Sequence, residues 1–487
     1  MIEITVEELV AATGATLVSG PTDRVCRGCA IDSRQVGPDG LFVAFKGERV
    51  DGNRFAASAL EAGAACVCCT AEPDEAARAA AAASHAALVR VDDPEEFLLK
   101  LAAWYRGRLN ANGTRVVGIT GSIGKTTTKD ALACMLASRY RVWKTQGNFN
   151  NLIGLPLTVL SAPADTEVLV LEMGMDGFGQ IERLARCAAP SWAVITKVGT
   201  SHIGMLGSRE NIARAKAEVV SGMRAASDGA APMLFLGGED DFTPFIERTF
   251  AAPADVAVVR CGAAASDAVR FSDVALDQEG HPSFTVRFGD GASAAPEDEA
   301  RLTLPITGAQ SVINVVYAAA IAHAMGVSAP EIAQAVAHME LTGRRQDIRR
   351  AACGARVIDD SYNASPESMA AALDLLCLLP CTGSRIALLG EMGELGEADG
   401  PRLHALVGAY AAAKKLDLIV FVGASGAREM ADAARLMGAS EERLMLVADV
   451  RELIDRCAGV LGTDDLVLVK ASRFVGLDRF VEEVCSC

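Results

Sequence analysis

Residues 114–136 read TRVVGITGSIGKTTTKDALACML, and this segment is the strongest local signal in the chain. An apolar run typical of a strand leads into a glycine-rich turn, and a helical pattern follows the turn. The turn contains a G-x-x-G-K-T motif formed by Gly121, Gly124, Lys125 and Thr126. Backbone N–H groups and the N-terminus of a helix both attract phosphate oxygens. The stretch therefore predicts a phosphate-binding loop in a parallel sheet.

The spacing of this motif is shorter than in the common P-loop, which has four residues between its glycines. Only two residues separate Gly121 from Gly124. In a phosphate-binding loop Lys125 would reach the β- and γ-phosphates, and the hydroxyl of Thr126 would bind Mg²⁺. The alternative is a glycine-rich turn that carries a surface lysine.

Strand-like runs on both sides of this loop predict an α/β protein with three domains. Residues 1–92 form a small α/β N-terminal domain, residues 93–342 a central P-loop ATPase domain with a parallel sheet, and residues 343–487 a Rossmann-like α/β C-terminal domain. In the central domain we expect antiparallel strands over 262–305 and a closing helix, SVINVVYAAAIAHAMGV. Four strand-like runs mark the third domain: RVIDDSYN, SRIALLGEMG, DLIVFVGASG and DLVLVKASR.

Composition narrows the class of protein further. The 487 residues include 46 Lys plus Arg and 62 Asp plus Glu, a net charge of −16. This charge argues against nucleic-acid or anionic-membrane partners. No apolar run is long enough for a membrane span, and the acidic start MIEITVEELV does not resemble an export signal. We interpret the 14 cysteines as reduced thiols of a cytoplasmic protein.

Further candidate site residues follow other strands and helices. Glu172 ends the apolar strand TEVLVLE, where it faces a ligand crevice or is simply a solvated acid. His202 follows the strand in SWAVITKVG, and a lone histidine there is more often structural. Asn150 and Asn151 lie in GNFNNLIGLP, as turn formers or as ligands. Lys216 lies in a helical stretch, where a solvated lysine is the simpler interpretation.

The junction at 343–345 carries two arginines. The planar guanidinium of Arg344 matches phosphate oxygens, so it would clamp a γ-phosphate when the domains close. The alternative is a charged surface linker.

Taken together, these segments resemble the Mur ligases of peptidoglycan synthesis over essentially the whole chain. IDSRQVGPDGLFVAFKGERVDGNRF, GSIGKTTT, GNFNNLIGLP, LEMGM, VGTSHIG and ARAKAE appear in the family's order. IDDSYNASPESM and DLVLVKASR are similar to the MurF type. Three departures are Lys197, where the family usually has Asn, the pair Gln310 and Ser311 in place of His-Asn, and GEMGELG in place of a GDM-like turn.

The resemblance implies a role for each matching position. In the family Lys216 is carbamylated and acts as an anionic metal ligand, and the catalytic set is Lys125, Lys216, His202, Glu172 and Arg344. The implied Mg²⁺ ligands are Thr126, Glu172, His202 and Lys216. The implied ATP contacts are Gly121, Ser122, Gly124, Lys125, Thr126, Thr127, Asn150, Asn151, Asn314, Arg344, Asp360, Tyr362 and Asn363. Ser33, Arg34, Lys46, Asp51 and Asn53 match the uridine-nucleotide region, and Ser472 and Arg473 would face the incoming dipeptide.

The activity implied is an ATP- and Mg²⁺-dependent amide ligase of cytoplasmic peptidoglycan precursor synthesis. It would join D-alanyl-D-alanine to UDP-N-acetylmuramoyl-tripeptide through an acyl phosphate. We expect a monomer whose site is complete only when the domains close. The alternatives are another member of the superfamily, of the MurE or folylpolyglutamate synthase type, and a P-loop NTPase switch that forms no amide.

Overall fold

The computed structural model describes residues 1–289, 298–342 and 347–485, and these residues form four β-sheets, one of two strands and three larger ones. Each of the three larger sheets is flanked by helices, as the α/β prediction requires. Within the described residues, no helix is both long and apolar enough to cross a bilayer. Described cysteines such as Cys26, Cys66 and Cys261 are free thiols, and burial raises the pKa of Cys29 to about 12.

The N-terminal sheet has the strand order β2-β7-β6-β5-β4, and β1 pairs separately with β3. Strands β4 to β7 are parallel, whereas β2 is antiparallel to β7. The strands are β1 (Glu3–Thr5), β2 (Thr16–Ser19), β3 (Val25–Arg27), β4 (Cys29–Ala30), β5 (Leu41–Val43), β6 (Cys66–Cys69) and β7 (Ala87–Arg90). The helices are α1 (Val6–Thr13), α2 (Ala56–Glu61), α3 (Glu75–Ser84) and α4 (Pro94–Ala111). Helix α4 begins at Pro94, where the side chain of Asp93 accepts hydrogen bonds from the N–H groups of Glu95 and Glu96.

The central sheet has the strand order β16-β15-β14-β13-β12-β11-β8-β10-β9. Its strands are β8 (Arg115–Thr120), β9 (Val142–Lys144), β10 (Val168–Glu172), β11 (Trp192–Ile195), β12 (Met233–Gly237), β13 (Ala257–Gly262), β14 (Val269–Leu276), β15 (Pro282–Phe288) and β16 (Glu299–Thr303). The neighbours from β9 to β14 are parallel, and β15 and β16 are antiparallel, which confirms the expectation for 262–305. Every residue of β10 is buried, as in a parallel strand that helices cover on both faces.

The helices of this domain are α5 (Lys125–Leu136), α6 (Gly154–Ser161), α7 (Gln180–Ala188), α8 (Ile203–Leu206), α9 (Arg209–Ala217), α10 (Val219–Gly222), α11 (Thr243–Ile246), α12 (Ser311–Ala324) and α13 (Ala329–Val336). The expectation that the α12 segment closes the domain is wrong, because α13 follows it and packs against α5 and β16. Ser328 and Glu331 form a capping box at the start of α13, a sequence signal of a helix N-terminus.

The third sheet has the strand order β17-β18-β22-β19-β20-β21. The strands are β17 (Asp347–Arg350), β18 (Arg356–Asp360), β19 (Arg385–Gly390), β20 (Leu418–Val422), β21 (Leu444–Val447) and β22 (Leu466–Lys470). The helices are α14 (Pro366–Leu378), α15 (Gly396–Ala413), α16 (Ser425–Leu436), α17 (Val450–Cys457) and α18 (Asp478–Cys485). The four predicted strands are present. The prediction missed β17, a polar antiparallel edge strand, and the short strand β21.

Candidate active site

The glycine-rich turn runs from the end of β8 at Thr120 to the first residue of α5, Lys125. Gly121 and Gly124 have φ angles of 140° and 90°, in the region that favours glycine. A Cβ atom on Gly121 would lie 2.0 Å from Oγ1 of Thr196, so no side chain fits there. The turn can therefore present backbone N–H groups to a phosphate at close range.

Lys125 lies at the mouth of this turn. Its Nζ donates a hydrogen bond of 2.8 Å to the carbonyl oxygen of Gly121, so the side chain folds back over the loop. The adjoining Ser122, Thr126 and Thr127 line the same cavity as Lys125. An ammonium held over a glycine-rich turn is suited to neutralise phosphate charge.

A buried carboxylate lies behind the turn. Glu172 ends β10 and is only 2% exposed, so the alternative of a solvated strand-end acid does not hold. Its Oε2 accepts a hydrogen bond of 3.0 Å from Oγ1 of Thr126, and its Oε1 accepts one of 2.8 Å from Nδ2 of Asn150. Its backbone N–H donates to Oγ1 of Thr145 at 2.9 Å. The carboxylate is thus fixed against the first turn of α5.

The two neighbouring asparagines have different surroundings. Asn150 contacts Glu172, whereas Oδ1 of Asn151 accepts hydrogen bonds from the N–H groups of Ile153 and Gly154 at the start of α6. Asn151 therefore acts as a turn former, as the simpler interpretation expected. Asn150 instead contacts Glu172 at the candidate site.

Lys216 is fully buried in α9, so it is not the solvated helix lysine of the simpler interpretation. Its Nζ has no hydrogen-bond partner among the described residues. Burial lowers the pKa of Lys216 well below its ordinary value, because the ammonium loses its water, and the nearby charge of Lys125 lowers it further. A neutral amine in this position is a nucleophile.

His202 joins the central domain to the third domain. It has a φ of 65° just before α8, and its Nδ1 lies 2.8 Å from Oε2 of Glu394, in the turn after β19. The backbone N–H of Gly204 also donates a hydrogen bond of 3.0 Å to the carbonyl oxygen of Glu394. The contact with the His202 ring is the main cause that lowers the pKa of the Glu394 carboxyl.

Helix α12 forms another wall of the turn. A Cβ atom on Gly124 would lie 2.0 Å from Oδ1 of Asn314, so the amide of Asn314 packs directly on this glycine. Nδ2 of Asn314 donates a hydrogen bond of 3.1 Å to the carbonyl oxygen of Gln310. Both residues line the cavity beside the turn.

Two strand ends of the third domain face this cavity. Asp360 ends β18 and Lys470 ends β22, and Nζ of Lys470 lies 2.6 Å from Oδ2 of Asp360. The same Nζ donates a hydrogen bond of 3.0 Å to the carbonyl oxygen of Asn363. Oγ of Ser472 donates to Oδ1 of Asn363 at 3.3 Å and accepts from the N–H of Gly393 at 2.8 Å. These bonds fix the loops at the carboxyl edge of the sheet.

The turn, α12 and the third domain enclose a cavity of about 400 Å³. Its walls bring together nine of the predicted nucleotide residues: Ser122, Gly124, Lys125, Thr126, Thr127, Asn314, Asp360, Tyr362 and Asn363. Gly121, Asn150, Glu172, His202 and Lys216 stand outside this lining. Thr126 connects it to Glu172 through their hydrogen bond. The prediction for Arg344 lies outside the described residues.

The predicted uridine-nucleotide residues lie apart from this cavity, in the first domain. Arg34 is exposed and ion-paired with Asp32, whose pKa falls to about 2 chiefly through this contact. Ser33 precedes Arg34 in a short 3₁₀ helix. Lys46 pairs with Asp51 in an isolated bridge.

Asp51 and Asn53, the other two predicted uridine-nucleotide residues, form hydrogen bonds with each other and with Thr70. Oδ1 of Asp51 accepts from the backbone N–H and the side-chain amide of Asn53. Asn53 in turn bonds both the N–H and the hydroxyl of Thr70. These contacts shape the loop between β5 and α2.

A second cavity of about 450 Å³ lies at the carboxyl ends of β19 and β20. Its wall includes the exposed ring of Phe474 and four carboxylates, Glu391, Glu394, Glu397 and Glu429. Ser472 is buried between the two cavities, and Arg473 is exposed beside Phe474.

The residues present suit a hard divalent cation. A hydroxyl (Thr126) and a buried carboxylate (Glu172), which hydrogen-bond each other, offer the oxygen atoms that Mg²⁺ prefers. Nζ of Lys216 is buried and has no hydrogen-bond partner among the described residues, and as an amine it would need an added carboxyl group to become an oxygen ligand.

Several functional candidates were missed at the level of sequence. Lys470 stands in the quoted DLVLVKASR run, and its strand-end position was the available signal. Glu367 and Glu394 carry no such sequence signal. Each is recognised as a candidate only because its side chain contacts a residue of the central domain in the structure. Thr145 accepts a hydrogen bond from the backbone N–H of Glu172, and no sequence pattern predicts this contact.

Comparison of the sequence with known proteins shows which family the chain resembles. The Mur ligase catalytic-domain model matches residues 26–106, the Mur ligase middle-domain model residues 119–322, and the Mur ligase glutamate-ligase-domain model residues 343–473. The chain is 36% identical to the UDP-N-acetylmuramoyl-tripeptide–D-alanyl-D-alanine ligase of Bacillus subtilis, over 99% of both chains. The chain belongs to the Mur ligase family. The full-length similarity to this ligase shows that the chain is of the MurF type. The same type was expected from the segments IDDSYNASPESM and DLVLVKASR.

Solved Mur ligases share the three-domain architecture. A crystal structure of MurF from Acinetobacter baumannii superposes with a TM-score of 0.85 at 27% identity and covers 100% of both chains. The MurF ligase of Thermotoga maritima, solved in complex with ADP, gives a TM-score of 0.77 at 26% identity over 94% of this chain and 96% of that one.

Proposed function

We propose that this Mur ligase uses ATP to join D-alanyl-D-alanine to UDP-N-acetylmuramoyl-tripeptide, the two substrates in the name of the Bacillus subtilis relative. The observation that carries the proposal is the cavity in which the phosphate-binding turn faces Asp360, Tyr362 and Asn363 of the third domain. A carboxylate is a poor acyl donor, so the reaction needs the γ-phosphate delivered next to the tripeptide's terminal acid. A site shared by two domains can do this when they close.

The proposed nucleotide contacts follow the geometry of the walls. The N–H groups from Gly121 to Thr127 and the ammonium of Lys125 hold the phosphates. In this proposal Asn314 lies beside the adenine, and Asp360 accepts hydrogen bonds from the ribose hydroxyls. Tyr362 and Asn363 belong to the same wall of the cavity as Asp360. We assign Arg344 to the γ-phosphate because of its junction position and its planar fork of donors. The ADP complex of the Thermotoga maritima ligase supports the use of ATP.

We propose Mg²⁺ ligation by Thr126, Glu172, His202 and a carbamylated Lys216. Bound Mg²⁺ would neutralise phosphate charge. The lone pair on the neutral Nζ of Lys216 forms a bond to the carbon of CO₂, and one proton leaves the nitrogen for solvent. The product is a carbamate anion, which supplies the oxygen ligand that the amine lacks. Its burial and the absence of a described partner support this assignment.

The reaction then proceeds in two transfers. A tripeptide carboxylate oxygen attacks the γ-phosphorus and ADP leaves, which gives an acyl phosphate. The amine of the dipeptide attacks the acyl carbon, and the tetrahedral intermediate expels phosphate as the amide forms. The protein positions the groups and compensates charge rather than supplying a nucleophile.

The two other substrates have their own proposed positions. Ser33, Arg34, Lys46, Asp51 and Asn53 mark the loops of the first domain for the uridine nucleotide. The second cavity suits the dipeptide, since its carboxylates attract an ammonium group and Arg473, beside Ser472, can pair with the terminal carboxylate. We further propose that the enzyme is a monomer. ATP and UDP-linked precursors are cytoplasmic metabolites, so we place the reaction in the cytoplasm.

Phosphate release tests the proposal. Rapid release should require ATP, UDP-N-acetylmuramoyl-tripeptide and D-alanyl-D-alanine together. Release with a free amino acid and the dipeptide substrate of a MurE-type enzyme, or with a folate and glutamate, would identify another superfamily activity. Release stimulated by a macromolecule without amide formation would identify an NTPase switch.

A further inference from the structure

We propose that Glu367 is a positioning residue that holds the third domain at the correct distance from the phosphate-binding turn. This inference rests on the proposed function, because it concerns closure of the same site. Glu367 lies in the first turn of α14, and its half-buried side chain reaches the loop between β11 and α8 in the central domain.

The contact uses both carboxylate oxygens. Oε1 of Glu367 accepts a hydrogen bond of 2.8 Å from the backbone N–H of Thr200, and Oε2 accepts one of 3.0 Å from its hydroxyl. A Cβ atom on the adjacent Gly199 would lie 3.0 Å from Oε1, so the absence of a side chain there permits the close approach. A two-point contact fixes orientation as well as distance.

The loop that Glu367 contacts also supports the phosphate-binding turn. The backbone N–H of Ser122 donates a hydrogen bond of 2.8 Å to the carbonyl oxygen of Lys197. The N–H of Val198 donates to Oδ2 of Asp240 at 2.9 Å, which anchors the loop from its other side. A carboxylate bound to Thr200 is therefore coupled to the turn through three residues of a fixed loop.

The other end of the contact is equally rigid. Ser365 caps α14, and its backbone N–H donates a hydrogen bond of 2.9 Å to Oγ of Ser368. The segment just before it carries Asp360, Tyr362 and Asn363, which form the opposite wall of the nucleotide cavity. The Glu367–Thr200 contact thus sets the width of the cavity between its two walls.

Three substitutions separate this role from that of an ordinary acid at a helix N-terminus. Glu367→Ala removes the contact and should lower kcat about ten- to hundredfold, the effect of losing a charged hydrogen-bonded contact. Glu367→Gln keeps the length, since its Oε1 can accept from the N–H of Thr200 and its amide can donate to the hydroxyl. It should retain most of the turnover. Glu367→Asp keeps the charge but is one methylene too short, and should resemble the alanine variant.

If Glu367 only provided negative charge at the helix N-terminus, the variants should rank in the opposite order of kcat. Glu367→Asp keeps that charge and would stay active, whereas Glu367→Gln loses it. Thr200→Val should lower kcat, and adding it to Glu367→Ala should cause little further loss, whereas Thr200→Ser should behave as the parent enzyme. Glu452→Ala is a matched control, since Glu452 lies in the first turn of α17 and, among the described residues, its side chain bonds within its own domain, to Ala448 and Arg456. It should leave kcat unchanged.

The parent enzyme distinguishes failure of this inference from failure of the proposed function. If the parent makes no amide, the proposed function is wrong. If the parent is active and Glu367→Ala matches it in kcat, or if Asp substitutes better than Gln, the positioning role is wrong. Small-angle scattering with an ATP analogue and substrates gives a second readout, in which Glu367→Ala should stay more extended than the parent and Glu367→Gln should not.

Discussion

Nζ of Lys470 lies 2.6 Å from Oδ2 of Asp360, at the ends of the neighbouring parallel strands β22 and β18. The side chain of Lys470 is only 2% exposed and that of Asp360 12%. The pair is therefore a nearly desolvated contact beneath the cavity that we assign to the nucleotide. The ion pair fixes the position of the Asp360 carboxylate.

Removing one member of this pair should destabilise the third domain. Lys470→Met should lower the free energy of unfolding by about 3 kcal/mol, because it leaves the Asp360 carboxylate without its partner. The measurement is urea unfolding of the third domain. Adding Asp360→Asn should recover much of the loss, since the charge that lacks a partner is then gone. A double variant no more stable than Lys470→Met alone would contradict this account.

Lys125→Ala should nearly abolish turnover, because the phosphates lose a positioned positive charge. Loss of one such group typically costs roughly 10²–10³ in rate. Lys100→Ala is the control, since Lys100 is exposed on α4, away from the cavity. The check is the initial rate of phosphate release with all three substrates. A Lys125→Ala enzyme with most of the parent rate would show that the turn does not hold the triphosphate.

Lys216→Ala should be inactive and partly rescued by formate or acetate, since a small carboxylate can occupy the space of the lost carbamate. The measurement is turnover against carboxylate concentration. Lys125→Ala with the same additives is the control and should show no rescue. Full activity of Lys216→Ala without any additive would refute the proposed modification.

Lys216 should also make stability depend on pH in metal-free buffer depleted of CO₂. Its pKa in the folded protein is lowered from the ordinary 10.5, so the unfolded chain binds a proton that the folded chain does not. Stability due to this group is therefore lost as pH falls from 10.5 towards the folded pKa, and regained as pH rises.

Lys216→Met removes this dependence. The variant should be more stable than the parent near pH 7, and the difference should shrink towards pH 10. Denaturant unfolding of both proteins at several pH values measures it. A difference that stays constant with pH would show that the buried amine does not titrate as its surroundings imply.

Local patterns were enough to predict much of this protein. The strand, turn and helix around Gly121–Lys125 were predictable because glycine spacing and apolar periodicity act over a few residues. The position of Glu172 followed from its place at the end of a buried strand. The capping box of Ser328 and Glu331 was present in the sequence, and α13 should have been predicted from it.

The missed residues share another physical reason. Lys470 meets Asp360 across 110 positions, and Glu367 meets Thr200 across 167. Nothing local in the sequence shows which partner such a lysine or glutamate meets. Their roles depend on strand order and on how two domains meet, and those are properties of the whole fold.

In the proposed mechanism, phosphoryl transfer to the tripeptide's terminal carboxylate activates it for amide formation. Its most direct test is tripeptide substrate labelled with ¹⁸O in that carboxylate, with mass spectrometry of the phosphate released during turnover. An acyl phosphate requires one labelled oxygen in the phosphate, while the other remains in the new amide. Phosphate that carries no label while labelled amide accumulates would contradict the account.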